Sequence, residues 1–389
     1  MLHADVKQIL VLGDPMNLEL TGTGTHNAGA ELMARAVGGW ASAAGHRCCV
    51  AAHFGDFARR ALCGFTTKLP MPVFSKSALF GRFAPSAFFR DYGITRENEI
   101  EAVLDASGFL YGDQWGNRGY EQLSHRSELC SRRGQRFVLL PQSLGPIHSE
   151  RDRSFFKRAC ENIDLIFPRD RDSYSLLAEL DVQTKFVQRP DFTVDVPGFV
   201  LPEDLRLRGS IIIVPNIRMT DKIGEQGSQA YRRLLAAITR YFIMQQFEIA
   251  FLVHSVGDES VVTDIAKLIA RDLPVINICD PQRIKGVLGL ARVVVGSRYH
   301  ALVSALTQGV PCLGFGWSHK YRDLFSDFGF DPYLVDVDAS EQVVLQLLAE
   351  LLDQQRRAGT TRLLLKASKA YQEQTVSMWQ ETAKAIQPE

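Results

Sequence analysis

Short apolar runs alternating with helical patterns from one end to the other constrain this chain more than any other feature. The runs QILVL (8–12), EAVLDA (101–106), RFVLLP (136–141), DLIFP (164–168) and TKFVQ (184–188) predict strands. After a break, so do SIIIVP (210–215), EIAFLVH (248–254), VINIC (275–279), RVVVG (292–296) and VPCLGF (310–315). Between them the pattern predicts helices over Ala28–Ala44, Ser173–Leu180, Tyr231–Gln245, Glu259–Arg271 and Pro281–Leu290. Continuously apolar strands need cover on both faces, and the intervening helices supply it, so the pattern asks for parallel sheets in an α/β fold.

At 389 residues the chain exceeds one ordinary hydrophobic core. The stretch RPDFTVDVPGFVLPEDLRLRG (189–209), rich in Pro, Asp and Gly, marks the break. The expectation is two doubly wound Rossmann-like domains facing a cleft: residues 1–195, with a Phe-rich insertion at about 54–92, and residues 206–360. A closing helix, about 364–386 within a segment 361–389, is expected to pack back on the first domain.

Lys+Arg and Asp+Glu balance at 44 each, which argues against a nucleic-acid binder or a protein held to membranes by overall basic charge. The seven cysteines show no C-x-x-C spacing, and Cys279 and Cys312 fall in apolar runs that predict inert core thiols. A reducing compartment fits, so the expected location is cytoplasmic, at most at the inner face of a membrane. The N-terminal MLHADVKQILVLGD reads as a first strand and not a signal peptide, and no apolar run approaches the ~20 residues that span a bilayer.

Ligands of open parallel sheets sit beyond the carboxyl ends of the strands. There the turns carry Asn27, Gly29, Asp113, Gln114, Gln142, Arg169, Asn216, Arg218, His254 and Lys320, a set suited to a small anionic ligand. GTGTHNAG fails as a dinucleotide fingerprint at Asn27 and as a phosphate loop at Ala30. Asp170–Asp172 and Asp336–Asp338 resemble metal-binding pairs, but Arg169 and Arg171 interleave the first and no His or Glu attends the second. Both read as ion-pairing or surface residues, with no metal site. The Phe-rich stretch reads as a packed helical insertion, or else as a surface that meets a lipid-linked acceptor.

The stretch VVVGSRYHALVSALTQGVP (293–311) predicts strand, turn and helix, with Ser297 as N-cap and Gly309 past the helix end. Arg298 and His300 then stand at the positive end of the helix dipole, where a cation costs roughly 0.3–1 kcal/mol. Either Arg298 pairs with a nearby carboxylate and His300 is a core histidine, or the pair awaits an anion. The second reading is preferred, because the turn also supplies backbone N–H groups.

The chain resembles the polysaccharide pyruvyl transferase family. The resemblance is carried by NAGAE, SGFLYGDQWG, PQSLGP, PRDRDSYS, GSRYHALVSALTQGVP and SHKY, spanning residues 27 to about 321. It departs at Ala30, where many relatives are acidic, and at Tyr299, where leucine is common. The resemblance implies a fold like that of GT-B glycosyltransferases and no cofactor. It also implies transfer of a pyruvyl group from phosphoenolpyruvate to two hydroxyls of one sugar, in a cell-surface polysaccharide or its precursor. Carried over by position, Arg298 and His300 match the donor-binding and catalytic pair, with Ser297 and Tyr299 beside them, and Arg169 matches a second donor arginine. The main rival is a nucleotide-sugar glycosyltransferase. Such enzymes place a glutamate in the helix before G-V-P, where this chain has Ser304. A non-catalytic carbohydrate-binding protein of the same fold is a further alternative.

Overall fold

The computed structural model describes residues 14–69, 86–116 and 118–387. It divides into two compact units, one made of Met1–Thr25, Met33–Phe192 and Gln374–Glu389, the other of His26–Leu32 and Thr193–Glu373.

The second unit holds a six-stranded parallel sheet in the order β10-β9-β8-β11-β12-β13. Its strands are β8 (Ile211–Val214), β9 (Ile249–Val253), β10 (Val275–Asn277), β11 (Val293–Gly296), β12 (Cys312–Phe315) and β13 (Leu334–Val335). Every residue of β8, β11 and β12 is buried, as a sheet covered on both faces requires. The core runs through Tyr231, Phe242, Leu302 and Phe325. Gly314 lets a helix close on the sheet, since a Cβ there would lie 2.4 Å from the Phe325 ring.

The first unit holds a seven-stranded parallel sheet in the order β4-β3-β2-β1-β5-β6-β7. The strands are β1 (Asn17–Thr21), β2 (Arg47–Val50), β3 (Phe65–Leu69), β4 (Ile94–Arg96), β5 (Ala102–Asp105), β6 (Arg136–Gln142) and β7 (Leu165–Pro168). Sequence patterning finds β5, β6 and β7 but none of β1 to β4. Residues 17–21 read as part of a polar turn, yet they form a strand with Leu18 and Leu20 buried, and the expected strand 8–12 lies outside the described residues. Three of the missed strands, β1, β3 and β4, carry polar side chains that meet one another: Lys68 Nζ meets Glu19 Oε1 at 2.5 Å, and Thr66 Oγ1 lies 2.6 Å from Thr95 Oγ1.

Four further expectations need correction. The Phe-rich stretch, where described, is only partly helical: besides helices Phe57–Leu62 and Ser86–Asp91 it contains Phe65–Leu69, which is β3 and pairs with β2 and β4; residues 70–85 lie outside the described set. TKFVQ contributes one isolated bridge, Ile166 with Phe186, instead of a strand. Cys279 is exposed, at the far side of the short edge strand β10, whereas Cys312 is buried as expected. The closing helix is longer than its pattern suggested, running Gln354–Ile386. No helix among the described residues is long and apolar enough to cross a membrane.

Candidate active site

In the second unit the chain leaves β8 for β9 in one direction and β11 for β12 in the other, although β8 and β11 are neighbours. That is a topological switch point, the place in an open parallel sheet where a crevice opens beyond the carboxyl ends. The turn after β11 carries Ser297, Arg298 and His300, and the turn after β8 carries Asn216.

Asn216 and Ser297 build this turn instead of pointing out of it. Ser297 N–H donates to the Val214 carbonyl (3.1 Å), and the Ser297 carbonyl accepts from Asn216 Nδ2 (2.6 Å) and Tyr321 Oη (2.9 Å). The Ser297 hydroxyl bonds the Tyr231 hydroxyl, buried inside the unit. Ser297 is therefore not the N-cap. Helix Tyr299–Leu306 is preceded by Arg298 in extended conformation with no side-chain cap. Tyr299 is buried.

The cation at the helix start has a partner. Arg298 Nε donates to Asp258 Oδ2 (3.0 Å) and Nη2 to Asp258 Oδ1 (2.5 Å), a two-point pair with a carboxylate. The carboxylate that the less favoured sequence reading required is present. It does not consume the whole guanidinium: Asp258 takes the Nε/Nη2 edge, and 15% of the Arg298 side chain stays accessible. An arginine fork has five N–H groups, so an anion can still be met by Nη1.

His300, two residues on and in the first turn of the helix, is half-buried, and its ring packs edge-on against Tyr299 (5.5 Å, 89°). Its other neighbour is the start of helix Ala28–Ala43. A Cβ on Gly29 would lie 2.2 Å from His300 Nδ1, so only glycine lets that backbone approach the imidazole. Asn27 caps the same helix, with Oδ1 accepting from Ala30 N–H (2.7 Å), and forms an antiparallel bridge with Ser255. Ala28 N–H donates to the His254 carbonyl (3.3 Å). Burial, then Arg298, then His300 push the His254 pKa well below its usual value, so this imidazole is neutral at neutral pH. Its Nδ1 is buried without a hydrogen bond.

Lys320 opens helix Lys320–Asp327 with its ammonium over the rings of Tyr299 (5.2 Å), Trp317 (5.5 Å) and Tyr321 (5.6 Å). Arg218 stands apart from these contacts, exposed and paired with Asp221 (2.5 Å).

The remaining candidates belong to the first unit. Arg169 follows β7 and is buried; Nη1 meets Asp191 Oδ2 at 3.0 Å, and Nη2 donates to the Gly108 carbonyl (3.3 Å) and Ser143 Oγ (3.1 Å). Asp170 is a buried N-cap, not a surface residue: it accepts from Ser173 N–H (2.8 Å) and from the Ser143 hydroxyl. Gln142 is fully buried at the end of β6, where its carbonyl accepts from Arg169 N–H (3.0 Å). Asp113 Oδ2 accepts from His148 N–H (2.8 Å), and Gln114 lies against Gly112 in the same 3-10 turn. Among the described residues no three His, Cys, Asp or Glu side chains cluster to hold a metal ion.

Sequence reasoning missed Asp258, Tyr231 and Tyr321. Asp258 lies in HSVGDES, one of the polar turns, but an aspartate opening a helix reads as an ordinary dipole partner. Its link to Arg298, forty positions on, has no local signal.

Two parallel doubly wound sheets with a basic turn at a switch point define a two-domain α/β fold of the GT-B type. Solved structures of that class match at low identity. A UDP-N-acetylglucosamine 2-epimerase described as putative, from Listeria monocytogenes, is 12% identical, covering 94% of each chain at a TM-score of 0.60. The S. aureus MnaA–UDP co-structure is 13% identical over 92% of this chain and 94% of that one (TM-score 0.55). Anabaena HepE, in complex with UDP and glucose, is 12% identical over 95% and 99% (TM-score 0.54). These likenesses speak to the fold alone. No curated protein matches the chain. The family model for polysaccharide pyruvyl transferase matches residues 27–319, so the chain belongs to that family and is a transferase.

Proposed function

We propose that the protein transfers a pyruvyl group from phosphoenolpyruvate to two hydroxyls of one sugar, forming a cyclic ketal and releasing phosphate. The carrying observation is the turn after β11, where Arg298 keeps part of its fork accessible while His300 stands two residues on, in the first turn of the helix. Arg298 would bind one anionic group of the donor, and Lys320, held by aromatic rings, would offer a second positive charge. His300 would act as general acid toward the methylene carbon, turning C2 into an electrophile. One sugar hydroxyl attacks C2, the C2–O bond to phosphate breaks, and the second hydroxyl closes the ring. Of the two hydroxyl protons, one restores the acid and the other leaves with phosphate. The acceptor is a saccharide of a cell-surface polymer or its precursor, free or lipid-linked, and the reaction would run in the cytoplasm.

Arg169 enters this reading as the second donor arginine only by exchanging its bonds to Gly108 and Ser143 for donor oxygens. The nucleotide-sugar alternative is less well served. Ser304, where a ribose-binding glutamate would stand, is buried inside its helix, with its carbonyl accepting from Gln308 Nε2 (2.7 Å). Calorimetry with phosphoenolpyruvate, UDP-glucose and GDP-mannose decides between them. Binding of phosphoenolpyruvate alone is expected, and binding of a nucleotide sugar alone overturns the proposal.

A further inference from the structure

One carboxylate stands where three turns of the second unit meet. We infer that Asp258 is the positioning residue of the donor site: it sets the guanidinium of Arg298 and holds the loop that seats the first turn of helix Ala28–Ala43 against His300. The inference rests on the reading of Arg298 and His300 given above.

Asp258 is fully buried and receives four donors. Oδ1 accepts from Ile217 N–H (3.0 Å) and Arg298 Nη2 (2.5 Å), and Oδ2 from Ser255 N–H (3.0 Å) and Arg298 Nε (3.0 Å). A carboxylate offers about four lone-pair sites, so its capacity is filled. Ile217 follows β8, Ser255 follows β9 and Arg298 follows β11, so the side chain ties together the carboxyl ends of three adjacent strands, two of which flank the switch point. An aspartate that served only the dipole of its own helix, Asp258–Ile269, would need none of these bonds to other elements.

Two consequences reach the chemistry. With its Nε/Nη2 edge held, Arg298 can swing little, and the donor anion must approach the remaining N–H groups from one side. That is preorganisation of a long, flexible side chain. The loop that Asp258 fixes also carries the His254 carbonyl and Ser255, which bond Ala28 and bridge Asn27, and Gly29 next to them contacts the His300 ring. Asp258 thus acts on Arg298 directly and on His300 through the backbone.

The test uses the full chain with phosphoenolpyruvate as probe. Asp258→Asn keeps the volume but turns an NH2 group toward donors. Its affinity for phosphoenolpyruvate should fall about 10- to 100-fold, the scale of one charge-assisted hydrogen bond. In an Arg298→Gln background the same change should cost no further affinity, because its effect passes through Arg298. A folded Asp258→Asn protein with unchanged affinity, or losses that add in the double variant, overturns the inference. If Asp258→Asn does not fold, Asp258→Glu replaces it: the charge stays, the guanidinium is pushed outward, and the same two outcomes decide. The Arg298 Nε–H resonance separates this inference from the proposed function. A slowly exchanging Nε–H that disappears in Asp258→Asn supports positioning even if phosphoenolpyruvate does not bind. A rapidly exchanging one in the unsubstituted protein overturns positioning whatever binds.

Discussion

Arg169 follows β7 in the first unit and Arg298 follows β11 in the second, and each meets a buried aspartate. Around Arg169 the fork is closed: its side chain is 3% exposed, and Asp191, Gly108 and Ser143 all accept from it. Around Arg298 one edge is held by Asp258, and 15% of the side chain remains open. Two arginines at the carboxyl ends of parallel strands, β7 at a sheet edge and β11 at a switch point, are thus a lock in one unit and a held but presentable cation in the other. An arginine after a parallel strand therefore identifies no ligand site until its donors have been traced.

The largest expected effect separates the open turn from anything merely structural. His300→Gln keeps volume and a hydrogen bond but cannot deliver a proton, so single-turnover rates should fall about 10²- to 10⁴-fold. Donor affinity and melting temperature should stay near normal. A stable variant with an undiminished rate would end the general-acid role.

The two arginines should then fail differently. Arg169→Met leaves Asp191, 1% exposed, without its cation, and breaking such a buried pair typically costs about 3–5 kcal/mol. Urea unfolding should show that loss. Arg298→Lys keeps a positive charge beside Asp258 but loses the planar fork, so the fold should stay within about 1 kcal/mol while donor affinity falls roughly tenfold or more. If Arg169→Met leaves stability intact, or Arg298→Lys leaves donor binding intact, the contrast between lock and cation is broken.

Gly29→Ala sharpens the same contrast by disturbing the open site from the side. Alanine suits a helix better than glycine, so stability should not suffer from propensity, but its Cβ would occupy the space of His300 Nδ1. A displacement of about 1 Å at a reacting group can cost ~10² in rate. Turnover should fall by up to that factor with donor affinity largely kept, and full activity would show that the contact is not required.

The smallest effect is in the pH dependence of stability. Folding lowers the His254 pKa, so below about 6.5 the unfolded chain binds a proton that the native site refuses. Stability contributed by the neutral ring is therefore present above that pH and declines as pH falls, by at most about 1.4 kcal/mol per pH unit. Asp195, pushed up to about 6 by burial, gives the opposite slope: its contribution is present at low pH and lost as pH rises toward 6. His254→Leu should flatten the acid-side decline below pH 6.5 and leave the Asp195 slope in place. An unchanged profile would remove His254 from the account.

Legible from the chain alone were the alternation of strands and helices, the apolar strands IIIV, IAFLV, VVVG and CLGF, and the strand–turn–helix that carries Arg298 and His300. Those features are local, because a strand buried on both faces must be apolar residue by residue and a turn announces itself by glycine and polar residues. Tertiary structure decided what depends on distant partners. The strands NLELT, FTTKL and ITR were not legible because Glu19 and Thr66 find their partners, Lys68 and Thr95, only when other strands arrive. For the same reason Asp191 closes Arg169 and Asp258 holds Arg298 on one edge only: both carboxylates come from other elements, and the free energy of a buried charge is set by what surrounds it, not by its neighbours in the chain.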